Sequence, residues 1–132
     1  MVDSLLRHTT YRRAERSTHM IRTIGTAFRR EDFTKEAFFE YWLNVHAPIS
    51  REAPGIRGYV ISEVVRKIAG ELEVDAFVEQ WFDDEEALAK ATASPAGQAA
   101  WADVANYAKT TGTFWVAKQH IIVPPPATTN QQ

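Results

Sequence analysis

The stretch FFEYWLNVHAPISREAPGIRGY, residues 38–59, decides the fold of this chain. It is the one place where aromatic side chains, a histidine, two prolines and two glycines crowd together. An apolar pattern of helical period enters the stretch, and a predicted strand leaves it through Gly58 and Tyr59. His46 lies where Pro48 interrupts the helical pattern. We therefore expect any chemistry of the protein to take place there.

A helix is predicted to begin just before this stretch. Thr34 is a suitable N-cap, and Phe33 and Phe38 have the spacing of a hydrophobic staple. Apolar positions three and four residues apart then define the face that should point inward. The predicted inward residues are Phe38, Phe39, Trp42, Leu43, Val45, His46 and Ile49.

Pro48 should disturb this helix directly after the histidine. Proline has no N–H to donate to the carbonyl of Asn44, and it disfavours helical geometry at the preceding residue, Ala47. The sequence thus predicts that the helix kinks or restarts at this point. Pro54 and Gly55 then give a firm end to the helical region.

The rest of the chain supplies three more strands and a second helical region. Strands are predicted at residues 20–28, 58–67, 74–82 and 113–123, from their β-branched and aromatic residues. Asp83 and Asp84 precede an acidic helix start, and Ser94 with Pro95 opens a further helical piece as N-cap and first helical residue. Inward positions of that piece are Ala99, Ala100, Val104 and Tyr107.

The element order is therefore βαββαβ, which predicts an α+β, ferredoxin-like fold. In this fold two helices cover one face of a four-stranded antiparallel sheet. Both faces of the predicted strands carry large apolar side chains, and the helices can shelter only one of them. We expect the second face to pack on that of another copy, so that a homodimer forms an α+β barrel.

A chain of 132 residues is the size of a single domain. We assign the domain to residues 20–123. Residues 1–19 are arginine-rich, without regular apolar spacing, and we interpret them as an N-terminal extension. Residues 124–132, PPPATTNQQ, have a composition that cannot pack, and are expected to be a disordered tail.

Composition excludes several classes of function. A formal net charge of -2 gives no basic surface for nucleic acid. The absence of cysteine excludes disulfides, thiolate metal sites and a cysteine nucleophile, and the four histidines show no paired ligand spacing. No apolar run reaches the roughly 20 residues of a membrane helix. We expect a cytoplasmic protein that needs no metal or other cofactor and binds neither nucleic acid nor membrane.

Several spaced motifs resemble those of the EthD family of dimeric α+β barrel proteins. They are an aromatic pair before a histidine in an H-x-P context, a Pro-Gly turn, a tyrosine in the second strand, an acidic helix start after the third strand, and S-P-x-G opening the last helix. These motifs correspond here to Phe39 and Trp42, His46 to Pro48, Pro54 and Gly55, Tyr59, Asp83 to Ala87, and Ser94 to Gly97. The resemblance covers residues 20–123.

The resemblance implies a site as well as a fold. The family includes accessory proteins of ether degradation and proteins similar to methylmuconolactone isomerase, to polyketide cyclases and to fungal dehydratases. In the isomerase-like members the histidine and the second-strand tyrosine belong to the active site, which implies catalytic roles for His46 and Tyr59. Those members carry a cysteine where this chain has Gln80, so cyclisation, dehydration or plain binding are favoured over that isomerase reaction.

Further candidates follow from residue type and position. Aromatic side chains at Trp42, Phe77 and Trp115 could form the wall of an apolar substrate cavity, or simply belong to the core. Arg57, at the turn into the second strand, could hold a substrate carboxylate as a bidentate pair. Gln80 would need hydrogen-bond partners if buried, so it is a candidate for contact with substrate or with a second subunit.

Two hypotheses about function follow. In the first, the protein is a cofactor-independent isomerase, cyclase or dehydratase of a small cyclic or polyketide-like compound, in a catabolic or secondary-metabolite pathway. His46 is then the general acid and base, and Tyr59 polarises a substrate oxygen. In the second, the chain is a non-catalytic dimeric protein that binds a small apolar ligand or assists a degradation enzyme, and His46 is structural. A cavity that reaches the imidazole would favour the first.

Overall fold

The computed structural model describes residues 20–127. The predicted extension at residues 1–19 and the end of the predicted tail at 128–132 lie outside this range. The elements, in chain order, are β1 (Ile21–Ala27), α1 (Lys35–Tyr41), a π-helix (Trp42–His46), α2 (Ala47–Ser50), β2 (Gly58–Glu63), β3 (Ala76–Phe82), α3 (Glu85–Ala93), α4 (Pro95–Asp103), a 3₁₀ turn (Val104–Asn106) and β4 (Phe114–Ala117).

The four strands form one antiparallel sheet in the order β2-β3-β1-β4. The predicted α+β, ferredoxin-like βαββαβ arrangement is therefore confirmed. One sheet face packs against the helices, and the core between them includes Ala27, Phe38, Trp42, Val78 and Tyr107. The other face is open in the single chain.

Local sequence signals locate the start of α1 correctly. The Thr34 hydroxyl accepts a hydrogen bond from the backbone N–H of Ala37 at 3.1 Å, as the predicted N-cap requires. Phe33 packs at the margin of the core to which Phe38 belongs. The staple and the cap together fix the direction in which the helix leaves β1.

The predicted disturbance at Pro48 takes a different form. Ala47 keeps helical geometry, with φ −60° and ψ −40°, so the expectation that proline displaces it is wrong. The chain instead widens into a π-helix, in which the backbone N–H of Ala47 donates to the carbonyl of Trp42. Because this bond spans five residues, the helix continues past the proline without a break.

The π-helix also changes which side chains point inward. Trp42, His46 and Ser50 are buried at a spacing of four residues. Leu43 and Val45 were predicted inward but are 56% and 42% exposed, because the wider turn rotates them towards solvent.

All four strands are shorter than predicted, β2 and β4 by the most. β2 ends at Glu63, and β4 ends at Ala117 rather than at residue 123. Ala117 pairs with Arg22, and β1 begins one residue earlier, at Ile21, so β4 stops where its neighbour in the sheet begins. Hydrogen-bond partners, which composition does not reveal, set the length of the strand.

The junction between α3 and α4 follows the predicted pattern. Ser94 accepts a hydrogen bond from the backbone N–H of Gly97 at 3.0 Å, and Pro95 occupies the first helical position. A Cβ atom at Gly97 would lie 2.1 Å from the Ala91 carbonyl oxygen, which explains why glycine follows the serine and proline. Ala99, predicted inward, is exposed, and Asp103 is buried instead. No helix within residues 20–127 is long and apolar enough to span a membrane.

Candidate active site

His46 ends the π-helix and is 7% exposed. Its Nδ1 atom lies 2.9 Å from Oδ2 of Asp103, the last residue of α4. The other carboxylate oxygen, Oδ1, accepts hydrogen bonds from the Tyr41 hydroxyl at 2.7 Å and from the Asn106 side-chain amide at 2.9 Å. The two helical regions are thus joined by a buried polar network.

The network determines the protonation of the imidazole. Burial raises the pKa of Asp103, but the hydrogen bonds from Asn106, Tyr41 and His46 outweigh it and hold that pKa below its ordinary value. Burial lowers the pKa of His46 more than the neighbouring carboxylate raises it. Near neutral pH, then, a neutral imidazole donates its Nδ1–H to an ionised Asp103, because an ionised carboxylate can only accept.

The other imidazole nitrogen is the one available for chemistry. Nε2 of His46 makes no hydrogen bond with residues in the range 20–127, whereas Nδ1 is paired with Asp103. His46 lines a cavity of about 260 Å³ between the sheet and the helices. The unpaired nitrogen of a neutral imidazole beside a cavity can act as a base towards a bound molecule.

Tyr59 lines the same cavity from β2. Its hydroxyl lies 2.7 Å from the Ser50 hydroxyl, and the Trp42 indole N–H points at it from 3.5 Å, which is long for a hydrogen bond. The Ser50 hydroxyl also lies 3.3 Å from the Ala47 carbonyl oxygen, which can only accept. When Ser50 donates to that carbonyl, Tyr59 donates to Ser50; when Ser50 donates to Tyr59 instead, the phenol proton of Tyr59 is free for a ligand.

Tyr107 packs against the imidazole on its inner side. The ring centroids of Tyr107 and His46 are 5.0 Å apart, and Tyr107 also contacts Trp42 and Tyr41. Burial raises the pKa of the Tyr107 phenol far above its ordinary value, so the group is neutral. Tyr107 thus supplies an apolar wall that fixes the plane of the imidazole.

Four of the seven predicted site residues come together at this cavity. Trp42, His46, Tyr59 and Gln80 all line it. The roles suggested for them stay predictions, but their common position follows from the fold, because α1, the π-helix, β2 and β3 face one another across the core.

The other three predicted site residues lie elsewhere. The Arg57 guanidinium forms a two-point ion pair with Asp83, with both N–O distances 3.0 Å, on the surface. Phe77 and Trp115 lie on the open face of the sheet, because in strands every second side chain points to the same face. Phe114, the neighbour of Trp115, lines the cavity in its place.

Asp103 and Ser50 were not predicted from the sequence as site residues. One signal for Asp103 was present: a carboxylate in the last turn of a helix opposes the helix dipole and needs compensation. Such a residue in an alanine-rich helix indicates a specific partner. Within residues 20–127, no group of three or more histidine, aspartate or glutamate side chains is arranged to hold a metal ion.

The fold and the site define a ferredoxin-like α+β protein with a histidine-lined cavity between sheet and helices. The chain belongs to the EthD family, whose domain model matches residues 30–111. None of the curated proteins matches the sequence.

Solved structures share the fold of this chain. An EthD family protein of Bacillus halodurans C-125 is 28% identical, with a TM-score of 0.67, and the match covers 76% of this chain and 99% of that one. A dimeric ferredoxin-like protein of unknown function from Thermobifida fusca YX is 18% identical, with a TM-score of 0.61, covering 76% and 91% of the two chains. SnoaB, a cofactor-independent oxygenase from Streptomyces nogalater, is 11% identical, with a TM-score of 0.55, and the match covers 80% of this chain and 99% of that one.

Proposed function

We propose that the protein is a cofactor-independent enzyme that isomerises, cyclises or dehydrates a small cyclic or polyketide-like compound. One observation carries the proposal: His46 is held by Asp103 through Nδ1 and lines a largely apolar cavity, so that Nε2 is the nitrogen left to meet a bound molecule. A base that is neutral near pH 7 and fixed in one tautomer is suited to remove a proton from carbon next to a carbonyl group.

The proposed reaction needs only groups of this chain. Nε2 of His46 takes the proton, and the electron pair moves onto the carbonyl oxygen, which receives a hydrogen bond from Tyr59. Return of the proton to another carbon completes an isomerisation. Attack of the enolate carbon on a second carbonyl of the same molecule closes a ring, and the proton goes to the new alkoxide. Loss of a β-hydroxyl group, which leaves as water with that proton, completes a dehydration.

Asp103 is a positioning residue in this proposal. Its carboxylate holds the proton on Nδ1, so that Nε2 is always the basic nitrogen, and it stabilises the imidazolium formed when Nε2 takes a second proton. Tyr41 and Asn106 fix the carboxylate in turn. General acid–base catalysis of this kind contributes roughly 10²- to 10⁴-fold in rate.

The alternative function is non-catalytic binding of an apolar ligand or support of a partner enzyme. The position of His46 in the cavity wall supports catalysis, since a purely structural histidine need not line a cavity. The oxygenase activity without cofactor belongs to SnoaB, and the likeness of fold indicates only that such an architecture can host cofactor-free chemistry.

Proton exchange tests the proposal without knowledge of the natural substrate. Ring ketones such as 2-tetralone would be incubated with the protein in deuterated water, and loss of their α-proton signals followed by NMR. We expect His46→Ala to reduce protein-catalysed exchange at least about tenfold. His120→Ala is the matched control, because His120 is exposed and does not line the cavity. Equal exchange by wild type and His46→Ala would contradict the proposal.

We also propose that the protein is a homodimer joined through the open sheet face. Val60, Phe77 and Trp115 are 44%, 38% and 52% exposed on that face, which is a large apolar area for a monomer to leave uncovered. Solved structures of the same fold from Bacteroides fragilis and Thermobifida fusca are described as dimeric. Two such faces packed together would form the expected α+β barrel.

A further inference from the structure

A row of polar side chains crosses the floor of the cavity. In the strand register Gln80 of β3 is opposite Tyr59 of β2 on one side and opposite Thr23 of β1 on the other. Directly opposed residues point to the same sheet face, and neighbouring strands are about 4.8 Å apart, so the three side chains form a line roughly 10 Å long. All three line the cavity, and we call them the polar row.

Two members of the polar row have hydrogen-bonding capacity to spare. The Gln80 amide and the Thr23 hydroxyl make no side-chain hydrogen bond with any residue in the range 20–127, and both residues are only partly buried. An amide both donates and accepts, and a hydroxyl does the same. The row can therefore bind hydroxyl or carbonyl oxygens of a ligand, and Tyr59 at its end lies on the same cavity as His46.

The cavity has almost no positively charged side chains that could pair with a negatively charged ligand. Its other walls are mainly apolar and aromatic, from residues such as Trp42, Val78 and Phe82. Among its described lining residues only His46 and Lys109 can carry a positive charge. Lys109 is exposed, and Arg57, a cation near the second strand, is paired with Asp83 and does not line the cavity.

We propose that the cavity selects an uncharged, largely apolar ring compound whose hydroxyl or carbonyl oxygens are held by Tyr59, Gln80 and Thr23. This substrate class rests on the proposed function of the same site. A carboxylate placed there would lose its hydration without gaining a buried cation, and such a loss is costly. A volume of about 260 Å³ lies just below the roughly 300 Å³ at which pockets for drug-sized ligands begin, and so suits a compound of one or two rings.

Binding of 2-naphthol and 2-naphthoate tests the proposal by calorimetry. The two probes share a ring system and differ in charge at pH 7.5, where His46 is neutral. We expect 2-naphthol to bind at least about tenfold more tightly than 2-naphthoate. Equal or tighter binding of 2-naphthoate, or no saturable binding of 2-naphthol, would overturn the proposal.

Variants test whether 2-naphthol binds at the polar row and whether its oxygen is recognised there. Gln80→Leu should weaken 2-naphthol binding roughly three- to tenfold and leave naphthalene, which has no oxygen, unaffected or bound more tightly. Asn44→Ala, on the exposed side of the π-helix, is the control and should bind both probes as wild type does. Unchanged binding of 2-naphthol by Gln80→Leu would contradict the role of the polar row.

The proposed function can fail independently of the substrate class. Binding of 2-naphthol by the wild-type protein involves no proton transfer, so it is measured apart from proton exchange. If His46→Ala kept full proton-exchange activity, the catalytic proposal would fall, while a wild-type preference for 2-naphthol over 2-naphthoate would still support the substrate class. A preference for 2-naphthoate would remove the substrate class and leave the exchange result intact.

Discussion

The Nδ1 atom of His46 and the Oδ2 atom of Asp103 are 2.9 Å apart, although 57 positions separate the two residues in the chain. The pair joins the π-helix to the end of α4, so the geometry of the base depends on the packing of both helical regions. Each region alone would place an unpaired polar group in the core, which costs free energy.

Asp103→Asn should change the pH dependence of proton exchange. The carboxylate raises the pKa of His46, so its removal should lower that pKa further and move the acid limb of the rate profile to lower pH. We expect the plateau rate to fall roughly 10²-fold as well, because the amide no longer selects one tautomer. Exchange measured from pH 4.5 to 8 checks both effects. A lower plateau with an unmoved acid limb would contradict this account, and Asp84→Asn, at an exposed helix start, is the control.

Stability should fall between neutral and mildly acidic pH. The folded-state pKa of His46 lies below the value of about 6.5 expected in the unfolded chain, so the unfolded state binds the proton first. The corresponding stabilisation is present above pH 6.5 and is lost as the pH falls towards the folded-state pKa. Urea unfolding at pH 7.5 and 5.5, at one protein concentration, measures it. His46→Asn should show a smaller difference between the two pH values, and an equal difference would contradict the assignment.

Gly97→Ala should destabilise the fold. The added Cβ would lie 2.1 Å from the Ala91 carbonyl oxygen and 2.9 Å from that of Thr92, so the backbone at the α3–α4 junction must shift. We expect a loss of about 1–3 kcal/mol in the free energy of unfolding, the usual cost of forced overpacking. Ala102→Ser, on an exposed position of the same helix, should change it by less than about 0.5 kcal/mol. Similar stabilities of the two variants would refute the close approach.

Trp115→Glu should dissociate the proposed dimer. Trp115 pairs with Ile24 on the open sheet face, where a charge would be desolvated by a second copy. Analytical ultracentrifugation at micromolar concentration should find wild type as a dimer and Trp115→Glu as a monomer. Leu43→Glu, an equally exposed apolar residue on a helix, is the control and should remain dimeric. A wild-type protein that sediments as a stable monomer would rule out the homodimer.

An ion pair lies within the same open face. Arg22 Nε is 3.2 Å from Glu79 Oε2, and the Arg22 guanidinium lies over the Trp81 ring at 5.7 Å. The side chains of Arg22 and Glu79 are each only 23% exposed in the single chain. Nε is buried without a well-aligned hydrogen bond among the described residues, because the ion-pair geometry is poor. A dimer would bury the Arg22–Glu79 ion pair further. Because both charges would lose hydration, the ion pair would affect which chains associate more than how tightly they associate.

Much of the fold could be predicted from the sequence because the signals are local. The Thr34 and Ser94 caps need only the next three residues, and the order of elements along the chain follows from the alternation of strand and helix patterns. His46 was found because proline and aromatic residues mark its position. These features depend on neighbours in the chain, and the structure agrees with them.

The remaining features depend on contacts between distant residues. Asp103 is recognisable as the partner of His46 only once α4 is packed against the first helical region. Whether Phe77 and Trp115 point to the covered or to the open sheet face depends on the side on which the helices pack. The alternation of side chains along a strand does not determine that side. The π-helix arises because the chain must satisfy backbone hydrogen bonds around Pro48 and still bury Trp42, His46 and Ser50.

The π-helix holds one extra residue without turning the two ends of the helix apart. A π turn contains one residue more than an α turn for about the same revolution, so removal of one residue between Trp42 and His46 would allow ordinary α-helical bonding. The histidine would then stay close to its present direction, because the lost residue and the tighter turn nearly compensate. A homologue with one residue fewer in this segment could therefore keep its base opposite the aspartate, and an alignment would show the difference only as a gap of one residue.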